Sequence, residues 1–205
     1  MIKKIRCLLQ LIKVKRSIKF KKNLQVFNNI YNDIAMPITG ESDKLSLTYG
    51  EIDYLTFSIL LYSIAPKPND VFIDLGSGRA KACFAAALSF NVQNCIGIEL
   101  LAKRHLLAQQ AWQKAPAKVQ QQVKLICADF LLQSIESATI IFINATGFFN
   151  DEYRNIEQLL TSQLRSGARV IITSKKLSLQ HFFLLSSNTI EMDYGLSHIN
   201  IYEKK

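Results

Sequence analysis

No apolar run in the 205-residue chain approaches the ~18 residues that a membrane-spanning helix requires. The best leader-like stretch, Cys7-Leu-Leu-Gln-Leu-Ile12, is too short and runs into further lysines. Cysteine is scarce: Cys7, Cys83, Cys95 and Cys127 show no paired spacing. This argues against a disulfide framework or a thiolate metal site, and for a reducing, cytoplasmic setting with buried cysteines acting as small hydrophobes. The three histidines, His105, His181 and His198, lack neighbours at ligand spacing. There is no internal repeat, low-complexity tract or second domain.

Acidic residues are missing altogether from residues 1 to 22, which carry nine lysines and arginines. The rest of the chain balances, with 16 basic against 16 acidic side chains, so the net charge of +9 belongs to this amino-terminal arm. Two readings stand. One is a loosely docked basic arm. The other is a device for an acidic protein, a nucleic acid or a membrane surface, where each cation near anionic lipid contributes about 1 kcal/mol. A helix over residues 2 to 12 would gather Ile2, Ile5, Leu8, Leu9 and Ile12 on one face; Arg16 and Lys19 would break that face if it continued to residue 22.

With 49% apolar and 20% charged residues overall, the chain has core enough for a single domain. We expect that domain over 23 to 205, with a helical cover over 23 to 68 and an α/β core over 69 to 205. Val71-Phe-Ile-Asp-Leu75 reads as a buried parallel strand, Gly76-Ser77-Gly78 as a tight turn, the alanine-rich stretch from Arg79 to Phe90 as a helix, and Cys95 to Glu99 as the next strand. Further strands are expected over 123 to 127, 139 to 143 and 168 to 173, with a closing pair near 189 to 194 and 197 to 202. Helices are expected over 24 to 36, 52 to 64 and 103 to 114, through Tyr153 to Leu164, and at Phe182-Phe-Leu-Leu.

The opening strand, turn and helix bring Asp74, two glycines and Glu99 to the carboxyl edge of neighbouring strands, where open α/β sheets bind nucleotides. Glu99 follows Gly78 by 21 residues, a spacing suited to gripping ribose hydroxyls. A dinucleotide fingerprint would want a small residue where Lys81 stands. An acid directly before the turn favours a cofactor bearing a free ammonium instead. S-adenosylmethionine (SAM) has one.

At these residues the sequence resembles the class I SAM-dependent methyltransferases, and within them the disruptor-of-telomeric-silencing family of protein lysine methyltransferases. The resemblance rests on Tyr49-Gly-Glu51, Asp74-Leu-Gly-Ser-Gly78, Glu99, Asp129-Phe130, Ile141-Phe-Ile-Asn144 and Thr173-Ser-Lys175, covering about Leu47 to Lys176. It implies a Rossmann-like seven-stranded α/β sheet with helices on both faces and an antiparallel last strand. It implies SAM as cofactor and an amine as acceptor, foremost a lysine of a protein substrate; a small molecule or nucleic acid is the alternative acceptor, and a non-catalytic SAM-binding module the alternative class.

Carried over residue by residue, Gly76, Ser77 and Gly78 would approach the methionine end of SAM with Asp74 beside them. Glu99 would hold the ribose, and Asp129 the adenine amine with Phe130 against the ring. Tyr49 and Glu51 would fold over the cofactor and shape the target channel. Asn144 would stand nearest the transferred methyl, Phe148 would wall the channel with Phe142, Phe149 and Tyr49, and Thr173 or Ser174 would help orient the amine. Local roles remain open for several: Asp129 as a helix cap, Glu51 as a helix-start acid, Asn144 as a loop residue. The sequence departs from the family pattern at Ile52, Ala80, Lys81 and Ala145. Lys81 is awkward beside a sulfonium unless it points to solvent.

Overall fold

Short β-branched runs with alternating sides build the centre of the molecule, a computed structural model describing residues 18–36, 50–192 and 195–205. In chain order the elements are helix α1 (Ile18–Tyr31), α2 (Tyr54–Ser63), strand β1 (Val71–Leu75), α3 (Lys81–Ser89), β2 (Asn94–Glu99), α4 (Ala102–Lys114) and α5 (Ala117–Gln122). They continue with β3 (Val123–Cys127), a 3₁₀ turn (Phe130–Leu132), β4 (Ile140–Ile143), α6 (Asn150–Gln163), β5 (Arg169–Thr173), β6 (Phe182–Met192) and β7 (Gly195–Lys204).

The seven strands form one sheet in the order β3-β2-β1-β4-β5-β7-β6. Strands β1 to β5 run parallel, and β7 is antiparallel to both β5 and β6. Strand order reverses between β1 and β4, so the crevice at their carboxyl ends is the place where such a sheet binds ligands.

The period-two alternation of the strands divides the core. Phe72, Ile140, Phe142 and Ile171 face the layer that includes α1, α2 and α3. Ile73, Ile141, Ile143 and Ile172 face the opposite layer, which includes α6. Helix α2 opens on Asp53, whose carboxylate accepts the Thr56 N–H at 3.0 Å. Its Phe57 stands edge-on to Phe72 and Phe142, with centroids 5.8 and 5.0 Å apart.

Several sequence expectations need correction. Phe182-Phe-Leu-Leu opens β6 rather than a helix, so β6 starts well before residue 189 and ends at Met192, while β7 extends past both of its expected ends. The run alternates at its start, Phe182 fully buried and Phe183 54% exposed, and Leu184 pairs with Tyr202 before a bulge. Helix α3 begins two residues late because Gly78 and Ala80 take positive φ, +54° and +61°. Helix α1 lies earlier than expected and absorbs residues 18 to 22 of the basic arm, with Phe20 buried against Tyr54 at 5.4 Å. Cys83 and Cys95 are buried, but Cys127 is exposed at the end of β3. The helical reading of residues 2 to 12, the loop at 37 to 43, and Tyr49 lie outside the described residues.

Candidate functional site

The glycine turn is pinned to the neighbouring strand. Gly76 and Ser77 N–H both donate to the Ile98 carbonyl, at 2.9 and 3.0 Å. Gly76 turns the chain with φ +81°, a conformation that only glycine adopts without strain. Gly97 on β2 is needed for the same close approach, because a Cβ there would lie 2.8 Å from Ser77 Oγ.

Glu99 ends β2 and is buried. Its Oε2 accepts the Gly78 N–H at 2.7 Å and its Oε1 the Leu101 N–H at 2.8 Å. Two backbone amides therefore fix the carboxylate plane, and each oxygen keeps a lone pair for a ligand hydroxyl. Asp74, one strand over, is 3% exposed. Burial, with the charge of Glu99 added, pushes its carboxyl well above the usual range. A cationic ligand group beside it would reverse that.

Asp129 follows β3, and its Oδ1 accepts the Leu131 N–H at 2.9 Å, so it does cap the 3₁₀ turn. It also borders the main cavity of this crevice, of about 240 Å³, with Glu99, Phe130, Asn144 and Phe148. Phe130 and Phe148 meet edge-to-face at 5.9 Å on the wall of this cavity. A narrow extension of about 30 Å³ continues past Gly50, Gly76 and Asn144 towards Asp74, Gly78 and Lys81.

At the far side, Asn144 leaves β4 with both ends of its amide held. Its Nδ2 donates to the Gly50 carbonyl at 3.2 Å. Its Oδ1 accepts from Thr173 Oγ1 at 2.7 Å and Thr146 Oγ1 at 3.0 Å. Thr173 is fully buried and also accepts the Ala145 N–H at 2.9 Å. Ser174 continues the chain of hydroxyls, 3.0 Å from Thr146 and 2.9 Å from Ser197.

The structure thus brings Asp74, Gly76, Ser77, Gly78, Glu99, Asp129, Phe130, Asn144 and Phe148 to one crevice. It revises other expectations. Thr173 does not face an acceptor; it orients Asn144. Phe142 packs on Phe57 in the core and also lines the narrow extension, whereas Phe149 is 46% exposed beneath Lys175 Nζ, 3.9 Å from its ring centroid, away from the cavity lining. Glu51 borders the narrow extension but is ion-paired to Arg79 and Lys81. Lys81 therefore points at Glu51 and not simply to solvent. Arg104 and Glu152 also line the main cavity. In the sequence they stand in ordinary helical contexts, and only their position in the first turns of α4 and α6 hints at the sheet edge.

A carboxylate with oriented free lone pairs beside an aromatic-walled cavity, and a buried acid at a glycine turn, fit the ribose, adenine and ammonium of SAM. The comparisons agree in kind. The family described as "Histone methylation protein DOT1" matches residues 44–203. The histone-lysine N-methyltransferase, H3 lysine-79 specific, of Drosophila melanogaster is 31% identical over 150 residues, 68% of this chain. The chain spans 8% of that relative's length. Among solved structures, an RNA methyltransferase from Salinibacter ruber in complex with S-adenosyl-L-homocysteine superposes with a TM-score of 0.58 at 17% identity, covering 75% of this chain and 93% of that one. The B. subtilis M1A22 tRNA methyltransferase TrmK gives 0.56 at 16% identity, covering 78% and 68%. At such identities these two speak for the fold alone.

Proposed function

The chain belongs to the DOT1 histone methylation family, and from that premise we propose that it is a SAM-dependent N-methyltransferase whose acceptor is a lysine side chain of a protein. The observation that carries the reading is the Glu99 carboxylate, buried and fixed by the Gly78 and Leu101 amides at the edge of a cavity that Asp129 and Phe130 also border. Glu99 would hold ribose hydroxyls, Asp129 the adenine amine with Phe130 against the ring, and Asp74 the ammonium.

When bound, SAM supplies a methyl on a sulfonium, an electrophile that needs no further activation. What is left to the protein is alignment and an uncharged nucleophile. A lysine in water has a pKa near ~10.4, and desolvation by apolar walls favours its neutral form. Phe148 and Ile156 supply such walls in the main cavity. The Asn144 amide, locked between Gly50, Thr146 and Thr173, gives a fixed dipole at the meeting point of cavity and extension. Tyr49 and Glu51 are proposed to complete the cover. The arm of residues 1 to 22 would serve docking to an acidic partner, and we propose a cytoplasmic enzyme that can associate with a membrane surface through it.

The test is transfer of tritiated methyl from SAM to a panel of histones, a lysine-rich protein extract, tRNA and small amines, followed by amino-acid analysis. Label recovered as methyl-lysine, and lost in Glu99→Ala, is expected. Label confined to tRNA or small amines would replace the acceptor assignment, and cofactor binding with no transfer to any acceptor would favour a binding module.

A further inference from the structure

Two cations share one carboxylate beside the narrow extension. Arg79 is 3% exposed and takes Glu51 in a fork, Nε to Oε1 and Nη2 to Oε2, both at 2.7 Å. Its Nη1 donates to the Ile34 and Ala35 carbonyls, each at 3.0 Å. Lys81 Nζ is ion-paired to the same Glu51 Oε2. Both cations stand near the Tyr31 ring, 5.4 and 5.5 Å from its centroid.

The bidentate fork is the geometry in which a guanidinium and a carboxylate satisfy each other. Among the described side chains of this cluster, Lys81 is therefore the surplus charge. It is also the more open of the two, with a side chain 23% exposed against 3% for Arg79. It lines the extension on whose border Asp74 also lies. One cation and one acid flanking a single narrow space form the complement of an α-amino acid's carboxylate and ammonium.

We propose that Lys81 anchors the carboxylate at the amino-acid end of the cofactor, with Arg79 as the positioning residue that holds Glu51 and, through it, the lysine. The inference rests on the reading of the cavity as a SAM site. It also removes the difficulty that the sequence raised: the ammonium is directed to Glu51 and the cofactor carboxylate, and its charge is matched there.

Calorimetric binding of SAM and of decarboxylated SAM, which keeps the ammonium and sulfonium but lacks the carboxylate, tests this without any turnover. The unaltered protein should prefer SAM roughly tenfold to hundredfold, the range of one charge-assisted hydrogen bond. In Lys81→Met that preference should vanish through weaker SAM binding, with decarboxylated SAM bound as before. A preference that persists in Lys81→Met, or equal loss of both ligands, would overturn the inference while leaving the cofactor reading intact. If the unaltered protein bound neither ligand, the cofactor reading itself would fall, and this inference with it.

Discussion

The carboxyl edge of the sheet holds its polar atoms in two different ways on its two sides. On the β1 to β3 side, backbone amides grip a carboxylate: Gly78 and Leu101 on Glu99, Leu131 on Asp129. On the β4 to β5 side, side-chain hydroxyls grip an amide, with Thr173 and Thr146 on Asn144 and Ser174 and Ser197 behind them. Backbone amides come with the fold and survive most substitutions. Hydroxyls are individually replaceable, so the β4 to β5 side can change its geometry without disturbing the β1 to β3 side. On the proposed function, the β1 to β3 side is the cofactor platform and the β4 to β5 side is where acceptor specificity would be set.

The largest break in this contrast is expected from Glu99→Ala. It removes the ligand grip and leaves the buried Gly78 N–H without its acceptor, a cost of roughly 1–3 kcal/mol. Calorimetry should show S-adenosylhomocysteine affinity falling at least about a hundredfold, accompanied by a lower melting temperature.

Thr173→Val should act on the other side alone. It keeps the side-chain shape but takes a donor from Asn144 Oδ1 and the acceptor from Ala145 N–H. Steady-state kinetics should show turnover reduced roughly ten- to hundredfold, the scale of a small misplacement of reacting groups, with S-adenosylhomocysteine affinity unchanged. Equal loss of both would show that the two sides are not separable.

Asp74→Asn sharpens the comparison through pH. The folded carboxyl titrates well above its ordinary value of 3.8 because of burial and Glu99. Between those two values the native state binds the extra proton, so stability is fully present below the ordinary value and is lost as pH rises through the raised one. Melting curves of the ligand-free protein should therefore fall across that window more steeply than those of Asp74→Asn. At neutral pH the variant should be the more stable and the weaker SAM binder.

The smallest effect belongs to Ala80→Gly. Ala80 sits in the left-handed region at φ +61°, a cost of about 1–2 kcal/mol for an L-residue, which the greater chain entropy of glycine partly offsets. A gain of up to about 1 kcal/mol would raise the melting temperature by roughly 2–4 °C, with methyl transfer unaffected.

The same division explains how far the sequence could be read. Asp74, the glycine turn and Glu99 belong to one βαβ unit, so their meeting follows from local pattern alone. Asn144 meets Gly50 across 94 positions and Thr173 across 29. No spacing rule foretells those bonds, and the family motif alone directs Thr173 to the amine instead of to Asn144. Phe149 shows the limit of motif transfer: its place beside Phe148 suggests a channel wall, while the structure leaves its ring 46% exposed beneath Lys175. At Phe182-Phe-Leu-Leu, four consecutive apolar residues carry neither period cleanly, and pairing with β7 decides for a strand.

The most direct measurement is a crystal structure of the protein with S-adenosylhomocysteine. The account predicts ribose hydroxyls on Glu99, adenine between Asp129 and Phe130, and the sulfur facing Asn144. Ligand density elsewhere, or a ribose that leaves Glu99 untouched, would contradict it.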